Sequence, residues 1–152
     1  MLPDDETTYI DDRCDEAEKK GREKCLEEGA SLLRKLMSDK RVDSERLFYY
    51  LLLCLSADGH VTNWEFDLIS PLAAKSGLDF DTAKDMSNWI KTQDMGRMRE
   101  VEVQNMSSHL RVCSKNVRDS YFRVGILLGA CDGRVSEHER VFLLDIFGYD
   151  YR

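Results

Sequence analysis

Apolar residues along this chain recur mostly at helical spacing rather than in the alternation of a strand. Residues 12–37 contain no proline and are dense in Glu, Lys and Leu, which predicts one long helix. The stretch 44–57, "SERLFYYLLLCLSA", is apolar almost all round from Leu47 to Leu55, the mark of a buried central helix. A counterpart runs over 117–131, "VRDSYFRVGILLGAC", again apolar on every side in its second half. "NWEFDLISPLAAKSG" continues as a helix to Gly77, with Pro71 predicting a bend or a division in two. "DFDTAKDMSNWIK" starts from Asp79 or Asp81 as N-cap and places Ala83, Met86 and Ile90 on one face. A turn around Gly96 leads to a helix over 97–112, and the last helix, 137–147, stops at Gly148. Only "EVEVQ", 100–104, alternates with period two, and helical sequence flanks it. The expectation is an all-α protein of about seven helices.

Within the long N-terminal helix, Ala17, Gly21, Cys25, Gly29 and Leu33 form an i, i+4 row. Small residues at that spacing let another backbone approach closely. Alternatively the two glycines merely weaken the helix, by ~1 kcal/mol each relative to Ala. Both readings stand.

The two buried helices are each followed by the same short text. "ADGHVTNWE", 57–65, returns 74 residues later as "CDGRVSEHE", 131–139. A buried helix, a D-G-x-V-[ST]-x-x-E turn and an amphipathic helix thus occur twice, which predicts duplicated hairpins packed as a pseudo-two-fold bundle, with the long N-terminal helix added.

The motif resembles the back half of an EF-hand loop, with Gly59, Thr62 and Glu65 at the sixth, ninth and twelfth positions. The leading positions, however, fall on Cys54 and Ser56 in one copy and Leu128 and Ala130 in the other. Neither loop alone has the carboxylates for tight Ca²⁺ binding, so an authentic EF-hand is rejected. A structural reading accounts for every motif residue. Gly59 and Gly133 adopt the positive φ that ends a helix. Asp58 and Asp132 bond backbone groups in the turn, and Val61 and Val135 pack down as the N′ member of a staple. Thr62 with Glu65, and Ser136 with Glu139, are capping boxes. Metal enters only if the duplication brings Asp58, Glu65, Asp132 and Glu139 to one surface, where four carboxylates make a hard-cation site. His60 and His138 lie nearby as further ligands or as ordinary surface polar groups.

Charge and composition narrow the classes. The net charge of −7 is concentrated in residues 1–30, which hold eleven acidic and five basic side chains. No basic face suits nucleic acid, so nucleic acid is not expected as a partner. Five cysteines without a C-x-x-C pair suggest neither a disulfide framework nor a zinc site, and reduced thiols fit the cytoplasm. The N-terminus has no signal-peptide pattern, and no apolar run approaches the ~20 residues that span a bilayer. No phosphate loop, H-E-x-x-H or G-x-S-x-G is present, and a non-enzyme is expected.

The pair "ADGHVTNWEFDLI" and "CDGRVSEHERVFL", each behind a buried helix, resembles the tellurite-resistance TerB family. That family carries a repeated A-D-G-x-[IV]-[ST]-x-x-E signature in a helical, pseudo-two-fold domain; Cys131 here replaces the usual Ala. The match covers residues 44–148, so the chain divides into an acidic N-terminal segment, 1–43, and a TerB-like domain, 44–152. The resemblance implies a bacterial, cytoplasmic, non-catalytic stress-response module, similar also to the domain that precedes the J-domain in some DnaJ-like cochaperones. It implies a divalent cation, Ca²⁺ or Mg²⁺, held by Asp58, Glu65, Asp132 and Glu139. The alternative is an interaction adaptor whose motifs are only caps, with the acidic N-terminal helix engaging a protein partner or a second copy.

Overall fold

The computed structural model describes residues 2–55 and 59–148, with side chains from Tyr9 onward. These residues form eight α-helices and one 3-10 turn, with no strand among them: α1 (Leu2–Lys20), α2 (Arg22–Ser38), α3 (Ser44–Leu55), α4 (Asn63–Lys75), α5 (Ala83–Lys91), α6 (Met95–Arg111), α7 (Lys115–Gly129), the 3-10 turn Ala130–Asp132, and α8 (Glu137–Phe147).

Six of these helices start from a side-chain cap, α3 from Asp43, whose Oδ1 accepts the Glu45 and Arg46 amides. Thr62, Thr82, Asp94, Ser114 and Ser136 each accept the amide three residues on. Gly77, at φ 87°, ends α4. Its amide reaches the Ala74 carbonyl while Leu78 reaches Ala73, a Schellman motif.

Several expectations are corrected. The long N-terminal helix is two helices, because Gly21 takes φ 88° and ψ 160°, a conformation outside any helix. Pro71 does not divide the helix in two: α4 runs through it as one element. The proline lies on the solvent face, where the carbonyl of Asp67, left without its intrahelical donor, can turn to water. The cap of α5 is Thr82 rather than Asp79 or Asp81, and Gly96 lies inside α6, which Asp94 caps. "EVEVQ" is helical, within α6, as the helix expected over 97–112 has it. The last helix runs over Glu137–Phe147 and stops at Gly148, as expected, the glycine taking right-handed helical angles.

α3 and α7 form the centre. Leu47, Phe48, Tyr50, Leu51 and Leu52 of α3 are fully buried, as are Tyr121, Val124 and Leu128 of α7. The two helices meet at a glycine face: a Cβ on Gly125 would lie 2.2 Å from the Tyr50 hydroxyl oxygen and 3.3 Å from Cys54 Sγ. α2 makes the most extensive helix contact in the fold, against another side of α7. There Gly29 stands so close that a Cβ would meet Leu128 Cδ2 at 2.6 Å. The small-residue row is therefore a seam over Ala17, Cys25, Gly29 and Leu33, all buried, while Gly21 is exposed and breaks it. α4 and α6 pack on α3, α5 on α4, and α1 on α8 and α7.

Candidate functional site

The two motif turns are built alike at their helix starts. Gly59 and Gly133 have φ of 81° and 94°, as the turn requires. Val61 and Val135 are buried at 3% and 1% exposure. In the first copy Thr62 Oγ1 accepts the Glu65 amide at 3.4 Å, and Glu65 Oε1 accepts the Thr62 amide at 2.8 Å, a complete capping box. In the second, Ser136 Oγ accepts the Glu139 amide at 3.2 Å and donates to Glu139 Oε1 at 2.8 Å, so the return arm runs through the hydroxyl.

The surroundings of the two copies differ. The Val61 amide donates to Ser87 Oγ of α5 at 3.0 Å, whereas the Val135 amide donates to Glu18 Oε2 of α1 at 2.7 Å. Arg140 completes the second arrangement. Its Nε donates to the Val135 carbonyl at 3.1 Å, and its terminal nitrogens reach Asp11 and Asp15 at 3.0 Å and Glu18 at 3.1 Å. The acidic face of α1 is thus bound within the chain. Sequence reasoning missed this set; its one visible signal is the spacing of Asp11, Asp15 and Glu18 along a single helix face.

Of the four acids expected to hold a cation, Asp58 lies outside the described residues. Asp132 is exposed, in the 3-10 turn, and its carboxylate makes no hydrogen bond among the described residues. Glu65 is 1% exposed and bonded to its cap. Glu139 is half-buried and lies over the α3–α7 crossing: its Oε2 would be 2.8 Å from a Cβ on Gly129, which also lies 3.9 Å from the Cys54 carbonyl. Burial pushes the Glu139 carboxyl up to about 7; Ser136 opposes the shift, while Asp132 and Glu65 add to it. Three motif acids from both copies therefore share one electrostatic field. Among the described residues, no group of three or more His, Cys, Asp or Glu is placed to hold a metal. His60 and His138 are exposed, and the His138 carbonyl accepts Arg99 Nη2.

Two further features lie outside the motifs. Glu102, 3% exposed, accepts Arg46 Nη1 at 2.6 Å, and Asn105 is the other side chain that favours its charged form. Burial pushes its carboxyl up to about 8 against the opposing charge of Arg46. All five cysteines are free thiols, with Cys54 and Cys131 buried. No described helix is long and apolar enough to cross a membrane. No protein-family model, curated protein or solved structure matches the chain.

Proposed function

We propose that this chain is a non-catalytic, TerB-like helical module of a bacterial stress response that works by binding a protein partner. In this reading α3–α4 and α7–α8 are duplicated hairpins in pseudo-two-fold relation, and the motif turns are their structural caps. One observation carries the capping reading: Glu65 and Glu139 are each bonded to the hydroxyl that caps their own helix. A second reading assigns Ca²⁺ or Mg²⁺ to Asp58, Glu65, Asp132 and Glu139. It is favoured by the field that Asp132 and Glu65 together exert on Glu139.

Trp64, beside Glu65 at the start of α4, separates the two by its fluorescence. Ca²⁺, Mg²⁺ and Mn²⁺ are titrated into the chain and into an Asp58→Asn, Asp132→Asn double variant. The capping reading expects no saturable response below millimolar ion. A saturable response that the double variant abolishes replaces it with the metal reading.

A further inference from the structure

On the side of the molecule formed by α1, α2 and α7 lies a cleft of about 790 Å³. Its apolar lining is Tyr9 and Leu32, both half-buried, with Phe122, Ile126 and Leu127 of the core behind them. Among the described residues its walls carry more cations than acids: Arg13 and Lys20 on α1, Lys35 on α2, and Lys115 and Arg123 on α7, against Glu16, Asp119 and the Glu28 that pairs with Lys20. On a chain of net charge −7, such a local excess of cations runs counter to the whole.

The cations stand in rows. Arg13 and Lys20 are seven residues apart, and Lys115 and Arg123 eight, so each wall presents positive charge at both ends of a span of roughly 10–12 Å. That span is about two helical turns. Arg13 and Lys20 are held in exposed pairs, with Glu16 and Glu28, each at 2.7 Å. Exposed pairs of this kind are worth little and exchange readily. Lys35, Lys115 and Arg123 are exposed and form no ion pair among the described residues. The first turn of α7, which opens at Lys115, adds the positive end of its dipole to the same wall.

We infer that this cleft is the docking groove for an acidic amphipathic helix of a partner protein, its apolar stripe on the apolar lining and its carboxylates against the two basic walls. An apolar stripe flanked on both sides by acids is what a helix offers a groove of this charge pattern. A ligand with a single anionic head would meet only one end of one row. The inference rests on the partner-binding reading, and the metal titration above tests that reading independently.

The probe is a fluorescein-labelled peptide of about four helical turns, with Leu at i, i+4, i+7 and i+11 and Glu on both flanks. Anisotropy with the full chain is compared with a scrambled peptide of the same composition. Saturable binding is expected, weakened by added salt and weakened about tenfold or more by Lys115→Glu with Arg123→Glu. Both side chains are exposed, so the pair leaves the fold intact, and circular dichroism checks this. A control double reversal, Lys75→Glu with Lys91→Glu, lies outside the cleft and leaves binding unchanged. Equal affinity for the scrambled peptide, or no effect of the cleft reversals, overturns the inference. So does a dimer in sedimentation velocity that the cleft reversals dissolve, which makes the occupant a second copy. Cleft-dependent pelleting with phosphatidylcholine–phosphatidylglycerol vesicles, in the absence of peptide binding, overturns it in favour of a lipid surface.

Discussion

The Glu18 carboxylate accepts the Val135 amide at 2.7 Å, a bond between residues 117 positions apart in the chain. It ties α1 to the turn that precedes α8. Arg140 holds both halves of the joint, donating to the Val135 carbonyl and to Glu18 itself. Both backbone polar groups of buried Val135, which lies outside any helix, are thereby satisfied by side chains of α1 and α8, a requirement for burying them at all.

Replacing Arg140 with Met therefore removes more than a surface ion pair. Hydrogen bonds to charged groups are worth ~1.5–3 kcal/mol, and a loss of that order is expected in urea unfolding. Arg140→Lys keeps the charge but not the planar fork that reaches Val135, Asp11, Asp15 and Glu18 together, and is expected to recover less than half of it. Amide exchange should rise first in α1. Unchanged exchange there in Arg140→Met would show that the apolar contacts of Ile10, Cys14 and Ala17 hold α1 without the arginine.

A second expectation concerns the α3–α7 crossing. Tyr50 is fully buried and its hydroxyl donates to the Tyr121 carbonyl at 2.6 Å, so it cannot retreat from a methyl group at position 125. Gly125→Ala gains up to ~1 kcal/mol of helix propensity, yet overpacking costs ~1–3 kcal/mol, and net destabilisation is expected. In a Tyr50→Phe background the nearest atom, the hydroxyl oxygen, is gone. The alanine should cost less there, and a double-mutant cycle by denaturant melts reads the coupling. Independent, additive effects would mean the two helices separate instead.

How much of this was legible beforehand depends on how local each feature is. The bounds of α8 follow from Ser136-x-x-Glu139 at its start and Gly148 at its end, all within the segment itself. Asp79, Asp81 and Thr82 are all competent to cap α5, and nothing within the segment singles out Thr82. The break at Gly21 is harder still. A glycine on a helical row can continue the helix or leave it, and here the docking of α1 on α8, through a residue 119 positions away, goes with leaving it. Gly125 and Gly129 were visible as small residues four apart, but nothing local names Tyr50 and Glu139 as what fills the space. Of the four motif acids, the cap role of the two glutamates was written in the T-x-x-E and S-x-x-E spacing. The influence of Glu65 on Glu139 was not, since it depends on how helices distant in the chain meet.

Stability should also depend on pH through Glu102. Its folded carboxyl titrates near 8, against an ordinary value of 4.5, so the folded state holds the proton more tightly than the unfolded one. Between those values the unfolded chain releases its proton first as pH rises, and the stabilisation present below 4.5 is progressively lost until about 8. Unfolding free energy measured in urea across pH 5 to 8 is expected to fall, and Glu102→Gln, which cannot titrate, should flatten the slope. An identical slope in the variant would place the titration elsewhere, for instance at Glu139, which is shifted the same way.

The motif turns themselves give the last test, because caps and ligands respond differently to the same substitution. Thr62→Ala and Ser136→Ala each remove a hydroxyl that accepts the amide of the third helical residue, at a cost of ~1 kcal/mol apiece. They start separate helices, α4 and α8, and share no hydrogen-bond partner, so the double variant should lose about the sum. Neither hydroxyl is among the carboxylates expected to hold a cation, so adding millimolar Ca²⁺ or Mg²⁺ should leave both losses unchanged if the turns are caps alone. Thermal melts with and without ion read this directly. A loss that ion restores would mean that the hydroxyls position Glu65 and Glu139 for a cation shared between the copies. The turns would then owe their repetition to that ion as well as to the helices they begin.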